Sequence, residues 1–546
     1  MAIATLLSAG YCSAAEAKSS QATVTVRLAD DGMDAVIDLD HPVSSLIFAH
    51  RDVVRNQDFD ILTPGLTLKQ DTIESTRPFT RVTLRVKPMS EERDAKYPAH
   101  FRLGAGGVLY APALALEEAS WRTTFLFKTK PGQVRLPDRD KAEDGFVFIG
   151  PARLAVQKPH VIVVGDPKTP SWILERSQNA LESAVQHYTG KLGIPLRNKP
   201  LLFVKHDGLS SPTFVADVSP GAITVLRYHG QSWETPNDQA ATSMQIFVYH
   251  EAFHFWNGGL ASNGPGTPAW LHEGGAEYAA IVSAHEAAIL SESEFLGRLG
   301  EALELCRRAL IRQGDKSLSE LGFLPADTRY PCGVVIQWAA DLHLRHASAG
   351  KQAAMDAWRT MIGAAAKREK HEYSLADFYA AIGVSGDDVV QPINLLVRQS
   401  GPDRWTALAP ALNALGAEVA LAETERGRRE RLVFHLIRQN CRNLPAGSNV
   451  GFNLEADTIL FANPPQCGAL ENARITSVEG GSIVAVTPAT FEAVRDKCAR
   501  KEPVELKTKD GVAILAACDA PLPNAPKSFV VRRWIPDGAA AAAATI

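Results

Sequence analysis

The stretch that decides the fold lies near the middle of the chain, where residues 244–258 read Met-Gln-Ile-Phe-Val-Tyr-His-Glu-Ala-Phe-His-Phe-Trp-Asn-Gly. Apolar residues recur around its two histidines with the period of an α-helix. His250 and His254 are four positions apart, so their imidazoles project from one helix face, with Cβ atoms about 6 Å apart. That spacing lets both bind one zinc ion, with Glu251 as general base beside a metal-bound water. The alternative interpretation is a buried helix with two satisfied histidines.

A second motif, at residues 269–278, supplies a third ligand. It reads Ala-Trp-Leu-His-Glu-Gly-Gly-Ala-Glu-Tyr, and Glu273 follows His254 by 19 positions. A catalytic zinc ion typically takes three protein ligands and keeps one position open for water. A second helix that carries Glu273 would complete this set. Glu277 lies one turn further on, and we predict that it accepts the other N–H of His250; the alternative is a solvated helix carboxylate.

Together these residues resemble the signature of the gluzincin metallopeptidases, which is His-Glu-x-x-His, eighteen residues, then Glu-Gly-x-Ala. The chain looks most similar to the aminopeptidase-N and glycyl aminopeptidase branches, whose Trp-Leu-x-Glu-Gly-x-Ala motif is matched by residues 270–276. The run Phe255-Trp256-Asn257 is similar to the glycyl aminopeptidase branch in particular. The resemblance implies a thermolysin-like catalytic domain, one Zn²⁺ ion and a peptide substrate.

A further match lies downstream, where residues 330–345 open with Tyr-Pro-Cys-Gly and continue as an apolar run. The relatives have Tyr-x-x-Gly at the start of an apolar helix at about this distance, and their tyrosine hydroxyl donates to the oxyanion. The resemblance implies this role for Tyr330, because a phenol with an ordinary pKa near 10 stays protonated at neutral pH. The alternative is a packing tyrosine at a helix start. A disulfide between Cys306 and Cys332 would fix this loop.

One departure from these relatives concerns substrate recognition. Aminopeptidases of these families carry a glutamate on an edge strand before the zinc helix, and it holds the substrate α-amine. We place that edge strand at Gly221, Ala222 and Ile223, where the sequence has no acid. Strict aminopeptidase activity is therefore not supported, although an uncharged edge strand can pair with an extended peptide backbone.

The pattern along the chain predicts an α+β multidomain protein. Short alternating runs over residues 20–155 are typical of an antiparallel, sandwich-like β domain. The other predicted segments are a leader at 1–19, the thermolysin-like catalytic domain at 156–285, a helical region completing the active site at 286–432, a region at 433–525 that could be a degenerate PDZ-like domain, and a tail at 526–546.

Composition limits the partners and the compartment. Fifty-seven basic residues against 61 acidic ones leave a net charge of −4, which gives no electrostatic reason to expect nucleic acid. Outside the small-residue N-terminus, no uncharged apolar run is long enough to span a membrane. Residues 1–17 end in Ala-Glu-Ala, which fits a secretory cleavage site, although a disordered tail is the alternative.

The cysteines favour an oxidising compartment. Six of the seven remain after such a leader, two in the middle of the chain and four near its end. Even counts within each region suit disulfides, and buried thiols are the alternative. We therefore expect a periplasmic or secreted protein.

The residues taken together predict a zinc metallopeptidase. One rival is a zinc hydrolase that acts on a non-peptide amide, ester or epoxide. The other is a non-catalytic periplasmic peptide-binding protein with a vestigial site, against which stands the presence of every ligand, the base and the tyrosine.

Overall fold

The structure is a computed structural model that describes residues 20–52, 55–89, 97–138, 145–207, 213–385, 389–441, 452–454, 457–461, 467–471 and 473–535. The predicted leader at 1–19 and the end of the predicted tail, 536–546, lie outside these residues. Within the described residues, no helix has both the length and the apolar character needed to cross a bilayer.

Two compact units make up the chain. The first unit holds Met1–Thr267, Ala279–Ile289 and Trp358–Ser374. The second unit holds Pro268–Tyr278, Leu290–Ala357 and Leu375–Ile546. The chain has β-sheets at its N-terminal end and is mainly helical over much of the second unit, so the predicted α+β class is confirmed.

The first unit begins with a β region that also contains one short helix, α1 (Arg55–Asp58). Its strands are β1 (Ser20–Leu28), β2 (Met33–Ile47), β3 (Phe59–Ile61), β4 (Thr67–Lys69), β5 (Thr72–Val86), β6 (His100–Leu103), β7 (Gly106–Tyr110), β8 (Trp121–Lys128), β9 (Gln133–Leu136) and β10 (Phe146–Pro151). One sheet has the order β3-β5-β2-β1-β8 with β4 beside β5, and the other has the order β6-β7-β10-β9.

Alternation of apolar and polar residues builds the larger of these sheets. In β1, Val24, Val26 and Leu28 are buried in the core while the residues between them are more exposed, as the two-residue period of a strand requires. The sheet differs from the antiparallel prediction at one point, because β1 and β8 are parallel. A parallel pair needs a long crossover, which the intervening strands supply here.

The first unit contains a third sheet, whose strands come before the zinc-motif helix in the chain. It consists of β11 (Ala155–Gln157), β12 (Ile162–Gly165), β13 (Leu201–Asp207), β14 (Thr213–Ser219) and β15 (Ile223–His229). The strand order is β11-β12-β13-β15-β14, in which β12, β13 and β15 are parallel and the two outer strands are antiparallel to their neighbours.

The predicted edge strand is wrong. Ile223 opens β15, which lies inside the sheet and is buried along its whole length. Gly221 and Ala222 form the turn before it, with positive φ angles of 83° and 61°. The edge is β14, because the chain turns back at Pro220 and pairs β14 with β15 as a hairpin.

Two helices of the first unit, α2 (Ser171–Leu192) and α3 (Asp238–His254), contact this sheet. The first unit also contains the second half of α4 (Ala269–Glu286), the later part of the helix Ala354–Ala365, a π-helix at Phe255–Leu260 and the short parallel pair β16 (Ser262–Asn263) and β17 (Glu372–Tyr373). Hydrogen bonds fix α2 to α3, since the Tyr188 hydroxyl donates to the Tyr249 carbonyl at 3.2 Å and the Ser183 hydroxyl lies 2.7 Å from the Tyr249 hydroxyl.

The second unit starts with helices. They are α5 (Glu292–Arg312), α6 (Ala326–Ala347), the start of α7 (Ala354–Ala365), α8 (Leu375–Ala381), α9 (Gln391–Val397) and α10 (Asp403–Asn413). The disulfide Cys306–Cys332 joins α5 to α6, which confirms the predicted pairing.

The C-terminal part of the second unit combines strands with two helices. Its elements are β18 (Glu418–Glu423), α11 (Glu425–Asn440), β19 (Phe452–Leu454), β20 (Ile459–Phe461), β21 (Arg474–Val478), β22 (Gly481–Ser482), α12 (Pro488–Ala499), β23 (Val504–Thr508), β24 (Ala513–Ala516) and β25 (Lys527–Arg533). The sheet order is β19-β20-β21-β23-β24 with β22 beside β21, and β18 pairs separately with β25. The PDZ-like character of this region stays a prediction.

Two predicted boundaries in this part are wrong. Helix α11 runs across the boundary at 432/433, because Leu432, Val433 and Leu436 belong to one core with the strands that follow. The predicted tail begins with a strand, β25, which pairs antiparallel with β18. The reason is a two-residue period in which Phe529 and Val531 are buried.

Disulfides account for all six cysteines within the described residues. Besides Cys306–Cys332, the pairs are Cys441–Cys467 and Cys498–Cys518. Such pairs persist in oxidising compartments, so they are consistent with a secreted or periplasmic protein.

Candidate metal centre

The zinc-motif helix forms as predicted. Asn237 caps α3, where its side chain accepts a hydrogen bond from the Ala240 amide at 2.9 Å. Met244, Val248 and Phe253 anchor the helix in the core. The helix backbone that carries His250, Glu251 and His254 is therefore held in place by the cap and the core.

The two histidines of α3 face each other. The Nε2 atoms of His250 and His254 lie 3.1 Å apart, and the ring planes meet at 79°. His250 is buried and Glu251, next to it on the helix, is half-buried. The arrangement brings two imidazole nitrogens to one point, with a carboxylate on the adjacent residue.

Asn257 orients the second histidine. The Nδ1 atom of His254 donates to Oδ1 of Asn257 at 2.8 Å, so Nε2, which lies 3.1 Å from Nε2 of His250, is the ring nitrogen that carries the lone pair. Asn257 is itself fully buried in the π-helix, and its carbonyl accepts a hydrogen bond from the Tyr373 hydroxyl at 3.0 Å. In the sequence, Asn257 belongs to the Phe-Trp-Asn run, and its position three residues after His254 is the signal for this contact.

In the second unit, Glu273 and Tyr330 are neighbours. Glu273 lies in the first turns of α4 and Tyr330 in the first turns of α6. Burial and then the Glu273 charge raise the pKa of Tyr330 to about 12, and the phenol is hydrogen-bonded to the Glu273 carboxylate. The Arg329 guanidinium lies over the Tyr330 ring, 5.1 Å from its centroid. The phenol is therefore protonated throughout the neutral range and can act as a donor.

The donor set suits a zinc ion. His250, His254 and Glu273 each offer one ligand atom, and these three atoms lie within 4.8 Å of one another. Ligands at zinc distances of about 2.0–2.2 Å in a tetrahedron are roughly 3.4 Å apart. Two imidazoles with one carboxylate are a common protein ligand set of catalytic zinc.

Glu277 is the residue predicted to accept a hydrogen bond from His250. Glu277 lies one turn after Glu273 on α4 and is half-buried. Its hydrogen bond to His250 stays a prediction.

The residues predicted for substrate binding separate into two groups. Gly221 and Ala222 line a cavity of about 520 Å³ in the first unit, together with Phe255 and Gly258 of the π-helix. Ile223 is buried inside the sheet, with 1% of its surface exposed, and does not reach this cavity wall. The turn, rather than the strand after it, therefore lies beside the segment that follows His254.

A second group with metal-binding residue types is explained by a disulfide. His435, Cys498 and Cys518 offer ligand atoms close together, but the two cysteines are bonded to each other. The His435 Nε2 atom lies 3.0 Å from the Ala520 carbonyl, to which it donates. These atoms are committed to structural bonds.

Comparisons with known proteins place the fold. Protein-family models and curated proteins give no match. Among solved structures, the chain is similar to the crystal structure of an aminopeptidase N family protein from Idiomarina loihiensis. The two share 12% sequence identity with a TM-score of 0.56, and the match covers 94% of this chain and 98% of that one. The chain therefore has a fold similar to that of this aminopeptidase N family protein over nearly its whole length.

Proposed function

We propose that this protein is a zinc-dependent metallopeptidase of the gluzincin type, closest to the glycyl aminopeptidase branch. The observation that carries the proposal is the His₂Glu donor set of His250, His254 and Glu273. The peptidase-type fold supports it, since the neighbouring structure belongs to the aminopeptidase N family. A bound zinc ion would supply a Lewis acid that lowers the pKa of a water molecule towards about 7.

Glu251 is the general base. Its carboxylate follows His250 on α3, and it takes the proton of the attacking water and then delivers it to the leaving amine. Because the residue is half-buried, its carboxylate is partly shielded from bulk water.

Tyr330 stabilises the oxyanion that forms on the scissile carbonyl. Its pKa of about 12 keeps the phenol protonated, so it donates a hydrogen bond to developing negative charge. Glu273 holds the hydroxyl in the absence of substrate, so the donor is ordered before the substrate arrives.

Extended peptides are the substrate class. Strand β14 forms the outer edge of the third sheet, and such an edge offers backbone groups to a peptide strand. Within the described part of β14, the only carboxylate is Asp217, whose side chain is 1% exposed and paired with Arg227 at 3.1 Å. This strand therefore supplies backbone pairing without an acid for a substrate α-amine.

Two measurements test the proposal. Metal analysis of the purified protein should find one zinc ion per chain, and a chelator should abolish peptide cleavage until zinc is restored. Mass-spectrometric mapping of cuts in a peptide mixture then identifies the bonds cleaved. A protein that binds zinc without cutting any peptide, but hydrolyses an amide, ester or epoxide library, would overturn the peptidase assignment. A protein without zinc and without activity would overturn the enzyme assignment.

A further inference from the structure

A second cavity lies in the second unit, away from the residues of the candidate metal centre along the chain. It has a volume of about 480 Å³, which is within the usual range for ligand pockets. Its walls come from α5, from α11 and from the segment before β25. We refer to it as the arginine cleft, because its lining includes Arg307, Arg308, Arg312, Arg431 and Arg438.

The carboxylates that line the arginine cleft already accept hydrogen bonds from arginine side chains. Only two glutamates, Glu304 and Glu430, line it, against five arginines. Glu304 accepts hydrogen bonds from Nε and Nη2 of Arg307, at 3.0 and 2.7 Å, and from Nε of Arg308 at 2.7 Å. Glu430 accepts Nε of Arg426, outside the lining, at 2.7 Å. The cleft therefore keeps a clear excess of positive charge.

Two of the arginines are unpaired. Within the described residues, neither Arg431 nor Arg438 has an ion pair or a side-chain hydrogen bond. They are seven residues apart on α11, so they lie on one helix face. Burial lowers the pKa of His435 between them, and the charges of Arg438 and Arg431 lower it further. His435 is thus neutral at pH 7, and the two guanidinium groups supply free charge.

Apolar surface lies beside these charges. The Ile311 side chain is 46% exposed on α5, and Phe434 is only partly buried on α11. Pro523 and Pro526 complete the lining. A single inorganic anion would leave this surface unused, whereas a peptide would cover it with an apolar side chain.

We propose that the arginine cleft binds a peptide segment that carries at least two acidic side chains next to an apolar one. Guanidinium forks bind carboxylates through two parallel hydrogen bonds, and Arg431 and Arg438 provide two such forks without breaking an existing bond. The apolar side chain of the peptide lies against Ile311 and Phe434. The site does not depend on zinc.

The test measures binding to the full-length chain by fluorescence anisotropy. The probe is a fluorescein-labelled peptide of alternating glutamate and leucine, and its glutamine counterpart is the charge control. The Glu251→Gln variant serves as the background, so that the probe is not cut. We expect the glutamate peptide to bind, the glutamine peptide to bind at least tenfold more weakly, and affinity to fall as salt rises.

Single substitutions locate the site. Arg431→Gln and Arg438→Gln should each weaken binding about tenfold, which is the size of one lost charge-assisted contact. Arg298→Gln, on α5 but outside the lining, is the matched control and should leave the affinity unchanged. All three variants should keep melting temperatures close to the wild type. Among the described residues Arg431 and Arg438 make no ion pair, and Arg298 has only an electrostatic interaction with the exposed Glu294, of a kind that contributes little to stability.

Three outcomes would overturn the proposal. The first is equal binding of the glutamate and glutamine peptides. The second is unchanged affinity in both the Arg431→Gln and Arg438→Gln variants. The third is displacement of the probe by single-stranded DNA or inorganic phosphate at lower concentration than by the unlabelled peptide, which would assign the cleft to phosphate groups. Each result is independent of whether zinc is present.

Discussion

Gly274 of α4 and Gly333 of α6 meet backbone to backbone. A Cβ atom on Gly333 would lie 2.5 Å from the Gly274 Cα atom and 2.5 Å from the Trp270 carbonyl oxygen, which is closer than real Cβ contacts. Each glycine belongs to one of the motifs of the candidate site, because Gly274 follows Glu273 and Gly333 is the last residue of Tyr-x-x-Gly. The close crossing of the two helices is what makes Glu273 and Tyr330 neighbours.

Gly333→Ala should therefore force the two helices apart. We expect a loss of about 1–3 kcal/mol in the free energy of unfolding, as in other overpacked interiors, together with a fall in peptide cleavage. Thermal unfolding and kcat/KM measure the two effects. Gly297→Ala is the control, since a Cβ there meets nothing within 4 Å and alanine favours the middle of helix α5. Equal stability of the two variants would contradict the close crossing.

Glu251→Gln should separate metal binding from turnover. The amide keeps the size of the side chain but cannot accept the proton of water, so we expect kcat to fall about 100- to 10,000-fold. Zinc content should stay at one ion per chain, because Glu251 is not among the three ligands. Cleavage at the wild-type rate would rule out Glu251 as the base.

Asn257→Ala should loosen the zinc site without removing a ligand. The His254 ring loses its 2.8 Å bond to Asn257, and loss of such an orienting partner typically costs about 10- to 100-fold in metal affinity. Competition for zinc with a fluorescent chelator measures this change. Asn263→Ala, at an exposed position of β16, should bind zinc like the wild type. Identical affinities for all three proteins would show that Asn257 does not orient the ligand.

His100 should make the first unit sensitive to mild acid. Burial, followed by the charge of Arg102, lowers the pKa of His100 to about 3, and its Nδ1 atom donates to the Val86 carbonyl at 3.0 Å. The unfolded chain takes up the proton near pH 6.5 and the folded chain does not, so the free energy of unfolding falls as pH drops below 6.5. Between pH 6.5 and 5 the loss is about 2 kcal/mol.

The His100→Gln variant tests this assignment, because an amide can still donate to the Val86 carbonyl but does not titrate. Urea unfolding at pH 7 and pH 5 should show a smaller decrease in stability for the variant than for the wild type. Parallel pH profiles for the two proteins would assign the acid sensitivity to other groups.

Local signals in the sequence were enough to predict the first part of the candidate site. His250 and His254 are four residues apart in one helix, so their proximity needs no knowledge of the rest of the fold. The predicted disulfide between Cys306 and Cys332, the second of which lies within the Tyr-x-x-Gly motif, is confirmed. Connectivity among the four later cysteines was not predictable, since four cysteines allow three pairings.

The incorrect predictions concern segments whose structure depends on pairing with other strands. The sequence predicts an edge strand at Gly221, because the residues of β15 have the apolar composition of a strand. The position of β15 inside the sheet depends on its pairing with β14 and β13. The sequence predicts a tail where β25 lies, because the partner strand β18 is about a hundred residues earlier in the chain. No local sequence pattern predicts a partner strand at that distance.

The return of β25 to β18 has a consequence for how the protein is made. Helix α6, which carries Tyr330, is also tied to this final segment, because the Trp338 indole N–H donates to the Trp534 carbonyl at 2.8 Å. A ribosome releases the zinc-motif helix long before it releases residue 534. A product terminated before β25 would thus contain both histidines but lack the strand that pairs with β18 and the Trp534 carbonyl that accepts from α6. The second unit therefore reaches the structure described here only after residue 534 has left the ribosome.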